Sequence, residues 1–293
     1  MHVLRRVALG VVVTAWLPGC DSPVWTALRC AGPVKRDCRV TRPIPDDQDA
    51  LVRFLWTNFD AATDDEIHQA VTKLHGLVGG DTLTRSISGT MADLSSDELA
   101  TVSMTDRDAG RATGLLLLDP MDCTVDHAEK ITTYANQMDL YPGVYDTYSR
   151  TYLSSMADYL ARTTLAVDWS IESTGTLLGS TYRMHYAGGN RWVAPQAGSA
   201  AIGGILLNRS WMRSPGEFDD STRGMDQDYQ VEVYYEREPG KVLHVWGDWR
   251  QAKMGTFTND DQIVLEVMLG NMEDWDNQTR QLCSEGRPAV AGG

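Results

Sequence analysis

The chain has 293 residues, 42% of them hydrophobic and 23% charged, which is the balance of a folded globular protein and not of a disordered one. Asp and Glu outnumber Lys and Arg by 40 to 26, for a formal net charge of −14. That sign excludes general electrostatic binding of nucleic acid. The one strongly apolar run, residues 7–17, is shorter than the roughly 20 residues a membrane-spanning helix needs.

The first elements are an address. Arg5 and Arg6 precede the apolar run Val7–Leu17, and Leu17-Pro18-Gly19-Cys20 follows. A positive segment, an apolar segment and a small residue read as a secretion signal over residues 1–19. Leu17-Pro18-Gly19-Cys20 resembles the bacterial lipobox, with an aliphatic residue at −3, a small residue at −1 and the cysteine at +1; Pro18 departs from the usual small residue at −2. The resemblance implies that Cys20 is acylated and that the protein is exported and held to a bacterial membrane by lipid, facing the periplasm in a Gram-negative cell, with inner and outer membrane both open. Acyl chains contribute about 0.8 kcal/mol per buried CH₂, so two or more on one cysteine anchor firmly. Residues 20–45, with Pro23, Pro33, Pro43 and Pro45, read as a lipidated tether.

Cys30, Cys38, Cys123 and Cys283 remain. An even number in an exported chain predicts two disulfides. Pairing Cys30 with Cys38 closes a short loop and pairing Cys123 with Cys283 a long one; the crossed arrangements stay open. No CxxC or CxxH pair is present, so no metal site is expected.

Residues 46–83 read as a helical pair. Asp46 and Asp47 precede Leu51, Phe54, Leu55 and Phe59 at helical spacing, and Thr63 caps a second helix lined by Ile67, Val71, Leu74 and Val78. His68 and His75, seven apart, are too far apart in sequence for a metal pair and read as solvated surface residues. Residues 84–285 then alternate as strands. Thr84–Met91 and Glu98–Met104 are expected to pair through the Asp93 to Asp97 turn, and Leu115–Leu118 to be a buried strand. Residues 122–139 are mostly helical, Val144–Leu153 is a strand, and Ser154–Arg162 is helical or irregular. Leu165–Ser173 and Leu177–Tyr186 follow as strands, with a turn at Gly188-Gly189-Asn190 and a flexible stretch at 195–204. Ile205–Met212, Tyr229–Arg237 and Val242–Arg250 complete the strands. The Pro239-Gly240 turn between the last two would set Tyr235 opposite His244 and Val233 opposite Trp246. A helix over residues 260–282, capped by Asn259, presents Val264, Val267, Met268, Met272 and Trp275 as one stripe, with Glu266, Glu273 and Asp276 off it. Residues 286–293 read as a flexible tail.

From about residue 110 to 285 this order of elements, with MDLYPGVYDTYSRTYL leading into a strand and NDDQIVLEVMLGNMEDW as the closing helix, resembles the helix-grip superfamily of START and polyketide-cyclase-like domains. The resemblance implies an α+β fold, a curved antiparallel sheet wrapped around the long C-terminal helix, with an apolar ligand held between them. Strand and helix positions name the candidate pocket residues: Trp169, Met184, Tyr186, Trp211, Tyr235, Trp246, Met268 and Met272. A solid core would use the same residues. No nucleophile elbow, zinc helix, phosphate loop or dinucleotide fingerprint is present, so no catalytic residue and no cofactor is assigned, and an enzyme is the least favoured class. The two readings ahead of it are a lipid-anchored module binding a lipid or hydrophobic small molecule, and a structural or interaction lipoprotein of the cell envelope with a solid core and no ligand.

Overall fold

A computed structural model describes residues 42–177 and 179–286. The expected signal segment, Cys20, the Cys30–Cys38 pair, nearly all of the tether and the tail from residue 287 lie outside those residues.

Helix α1 (Gln48–Thr57) begins at Asp47, whose carboxylate accepts from the Ala50 backbone N–H. Helix α2 (Asp64–Leu77) begins with a capping box, Thr63 and Glu66 each satisfying the other's backbone N–H. The sheet comprises β1 (Ile87–Met91), β2 (Thr113–Asp122), β3 (Thr147–Tyr152), β4 (Ala166–Leu177), β5 (Ser180–Val193), β6 (Ile205–Met212), β7 (Glu217–Phe218), β8 (Arg223–Glu238), β9 (Lys241–Met254) and β10 (Phe257–Thr258). Their order is β1-β2-β9-β8-β6-β5-β4-β3, with β10 on β9 and β7 on β5, and every pairing is antiparallel. Short helices α3 (Ser96–Ala100), α4 (Val125–Thr132) and α5 (Met156–Leu160) interrupt the strands, and α6 (Gln262–Ser284) ends the described chain.

Successive side chains of a strand point to opposite faces, and here both faces are covered. On one, Leu116, Leu118, Leu207, Val231, Val233 and Val245 meet Leu51, Leu55, Trp56 and Leu74 of α1 and α2. On the other, Leu115, Leu117 and Trp246 meet Val264, Met268 and Met272 of α6. A disulfide between Cys123 and Cys283, Cα atoms 5.1 Å apart and 160 residues apart in sequence, ties the chain just after β2 to the last turn of α6.

The antiparallel sheet and its long C-terminal helix are therefore as expected. Five local readings are corrected. Glu98–Met104 does not form a strand: Ser95 and Glu98 make a capping box and start α3 instead. Gly188-Gly189-Asn190 is not a turn but the middle of β5. A Cβ on Gly188 would stand 2.5 Å from the Trp169 ring, so this glycine serves close packing within a strand. The β8–β9 hairpin contains a bulge between Glu236 and Glu238, which sets Tyr234 opposite His244 and Glu232 opposite Trp246. One extra residue moves the register by one and exchanges the faces. Helix α6 is capped at Asp261, not Asn259; Asn259 is buried and donates to the Arg111 carbonyl and Thr113 Oγ1. His68 and His75 are buried, not solvated. His68 bonds Ser199 Oγ at 2.8 Å and the Ala194 carbonyl at 2.7 Å, and His75 bonds the Tyr235 hydroxyl at 2.9 Å. Their seven-residue spacing put them on the helix face that the sheet covers.

Candidate functional site: a cavity between sheet and C-terminal helix

Helix α6 packs on β1, β2, β9 and β10. Farther along the same face a cavity of about 280 Å³ separates the helix from β3, β4, β5, β6 and β8. Its wall is aromatic and thioether: Tyr145, Tyr148, Trp169, Met184, Met225 and Trp275. Trp275 stacks on Tyr141 with ring centroids 4.3 Å apart, which holds the helix end of the wall. Trp169 donates its indole N–H to Asn190 Oδ1 at 2.8 Å and is paired across the strands with Gly188, over which its ring lies.

Five of the sequence candidates line this cavity: Trp169, Met184, Tyr186, Trp246 and Met272. Met268 borders a separate space of about 30 Å³ between α6 and the β8–β9 strands. Trp211 and Tyr235 belong to the opposite face. Trp211 meets Trp56 edge-on, and Tyr235 bonds His75. The cause is strand parity. On β6 and β8 the polar cavity-facing residues are Asn208, Ser210, Gln230 and Glu232, and Trp211 and Tyr235 are out of phase with them.

That floor is polar, which sequence reasoning missed. Tyr186 donates to Asp228 at 2.7 Å. Arg250 lies 3.2 Å from Asp228 and 2.9 Å from Asp248. Burial pushes the Asp248 carboxyl well above its ordinary value; Arg250 pulls it down and Asp228 pushes it up. Burial also lifts the Tyr186 phenol, and the Asp228 charge adds to it. Beside this cluster Glu232 accepts from the Tyr234 hydroxyl at 2.6 Å and lies 3.3 Å from His244 Nε2. His244 Nδ1 in turn meets Asp276 Oδ1 of α6 at 2.7 Å, and its ring stacks on Tyr234 at 4.1 Å. Burial opposes the imidazolium, but Asp276 and Glu232 outweigh it and push His244 up to about 9. Asp276, expected off the apolar stripe, is thus 1% exposed and faces the sheet. Arg280 forms a two-pronged ion pair with buried Asp119. Burial and Asp276 raise the Asp119 carboxyl to about 7, against the pull of Arg280.

The signal for this floor was present in β8, where Asp228, Gln230 and Glu232 alternate with Tyr229, Val231 and Val233. An alternating strand in an antiparallel sheet ordinarily turns its polar face to water. Here it faces a cavity whose other walls are α6 and the β3–β5 strands. Among the described residues no group of three or more His, Cys, Asp or Glu is placed to hold a metal ion. The cavity offers apolar surface, hydrogen-bonding atoms and fixed charge to a small molecule.

The architecture is thus α+β with an antiparallel sheet gripping a C-terminal helix. No protein-family model matches the sequence, and no curated protein matches it significantly. Among solved structures, human STARD10 is similar at 8% identity over 70% of this chain and 71% of that one, with a TM-score of 0.41. Human StAR-related lipid transfer protein 5 is similar at 5% identity over 77% of this chain and 98% of that one, also at 0.41. The protein TTHA0849 from Thermus thermophilus is similar at 11% identity over 59% of this chain and 98% of that one, at 0.37. Scores below 0.5 mean that the backbones superpose only loosely, so the fold stands on the sheet order and helix placement given above.

Proposed function

We propose that the protein is an exported lipoprotein, held to a membrane through acylated Cys20, whose folded body binds one small hydrophobic or amphiphilic molecule between the sheet and α6. The cavity carries the binding part of this reading. Its volume of about 280 Å³ lies just below the range of drug-sized ligand sites, about 300 to 1,000 Å³. It therefore suits a single ring system or a short acyl chain and not a two-chain phospholipid. The aromatic and methionine wall supplies the apolar contact, and the polar floor supplies orientation. The anchor rests on the Leu17-Pro18-Gly19-Cys20 run, and it places the binding body at a membrane surface where apolar molecules concentrate.

Native mass spectrometry of the protein purified from cells tests the binding reading. An added mass that leaves on denaturation, or saturable uptake of an apolar fluorescent probe, is expected. Absence of both would favour the alternative of an envelope lipoprotein whose partner is another protein. For the anchor, Cys20→Ser is expected to abolish incorporation of labelled fatty acid and to release the protein from the membrane fraction. A Cys20→Ser protein that still pellets and still carries label overturns it.

A further inference from the structure

We infer that the cavity selects an apolar molecule bearing a carboxylate, and that Arg150 is the side chain that reads the carboxylate. The inference rests on the cavity being a binding site and adds the chemistry of the ligand's head.

Three charged side chains line the cavity: Arg150, Glu232 and Arg250. Two have opposite charges beside them within the protein. Arg250 has Asp228 and Asp248 within 3.2 Å. Glu232 has His244 at 3.3 Å and the Tyr234 hydroxyl at 2.6 Å. Arg150 is different. Its Nε donates to the Tyr148 hydroxyl at 3.0 Å, and its Nη1 donates to the carbonyls of Thr132 and Tyr134. The Tyr152 phenol is also hydrogen-bonded to it. Its guanidinium carbon stands 5.1 Å from the centroid of the Trp169 ring. All of these partners are neutral. Among the described residues no carboxylate pairs with Arg150. An arginine remains charged at any working pH, and a charge drawn into a partly buried site is costly until an anion answers it.

The surroundings extend the site. Arg150 stands over Trp169, Trp169 lies over Gly188, and Gly188 pairs across the strands with Ser210. Ser210 and Asn208 are each 6% exposed, both line the cavity, and neither side chain is hydrogen-bonded by any described residue. Arg150, with no acidic partner, and these two unpartnered side chains thus lie around one indole. A carboxylate at Arg150 gains a charge-assisted hydrogen bond, while its apolar body lies against Trp169 and the methionines. A cationic head meets repulsion from Arg150 and must compete with His244 for Glu232. A neutral head leaves the guanidinium unanswered.

Three probes with one apolar body test the head alone: 1-naphthylacetate, 2-(1-naphthyl)ethanol and 2-(1-naphthyl)ethylamine, titrated calorimetrically into the purified full-length protein near neutral pH. The acid is expected to bind about tenfold or more tighter than the alcohol, and the amine weakest. Arg150→Gln is expected to bring the acid down to the affinity of the alcohol, with the alcohol unchanged; Arg150→Lys should keep part of the preference. An alcohol or amine that equals the acid in the natural protein overturns the assignment while the cavity reading stands. So does an acid preference that survives Arg150→Gln. Binding of none of the three overturns the cavity reading and this inference with it. Should Arg150→Gln fold poorly, the ranking in the natural protein decides the head chemistry, and Arg150→Lys, which must weaken the acid and leave the alcohol unchanged, decides the residue.

Discussion

Raising the pH should loosen the grip of the C-terminal helix on the sheet, and His244 sets the window. His244 is 1% exposed and bridges Asp276 of α6 to Glu232 of β8, with Asp119 and Arg280 the next charges on the same face. Its value in the folded state is about 9, against about 6.5 for a free histidine. The folded protein therefore holds a proton that the unfolded chain has released between these values, and stability must fall as pH rises through that range. The linkage relation gives a contribution of about 3 kcal/mol at pH 6, about 2 kcal/mol at pH 7.5 and well under about 1 kcal/mol at pH 9. Asp119, raised to about 7, has the same sign: its stabilisation is present at low pH and is lost as pH rises from the ordinary carboxylate range to 7. Urea unfolding at pH 6, 7.5 and 9, followed by tryptophan fluorescence, measures the slope. His244→Asn should lower stability at pH 6, because Asp276 and Glu232 lose their counterion, and should flatten the curve between pH 7.5 and 9. Stability that stays level or rises from pH 6 to 9 in the natural protein would falsify the charge assignment of this bridge.

Two further outcomes separate cavity from core and measure the staple. Met272→Trp, on the cavity wall, is expected to be close to neutral for thermal stability while abolishing uptake of an apolar probe. Met268→Trp, beside a space of only about 30 Å³, is expected to cost about 1–3 kcal/mol by overpacking. Equal losses for the two would show that no usable room exists at Met272. Cys123 and Cys283 close a loop spanning 160 residues, so Cys283→Ser should cost about 5 kcal/mol in the chain-entropy relation. A denaturation midpoint unchanged by that substitution would argue against the bond.

Local pattern carried the larger elements of this protein. Leu51, Phe54 and Leu55 at helical spacing, the Thr63-x-x-Glu66 box, the Leu115–Leu118 run and the stripe from Val264 to Met272 each bury one face of one element, and burial of that kind is written in the spacing of apolar residues. The order of those elements sufficed for the antiparallel sheet closed by a terminal helix. Short segments were less legible. Glu98–Met104 was misread because a capping box outweighs a brief alternation, and Gly188-Gly189-Asn190 because the neighbour that requires a glycine, Trp169, lies 19 residues away.

The site depended on facts that are not local. A single bulge between Glu236 and Glu238 decides which residues of β8 oppose which residues of β9. Strand phase then decides that Trp211 and Tyr235 face α1 and α2 while Asn208, Ser210 and Glu232 face the cavity. An alternating strand shows that one face is polar. Whether that face meets open water or lines a cavity depends on what stands over it, and α6 and β3–β5 arrive from distant parts of the chain. The same holds for Arg150, His244 and Asp276. Their chemistry follows from the charges brought beside them or withheld from them, and only the packing of the whole sheet against its helix sets those distances.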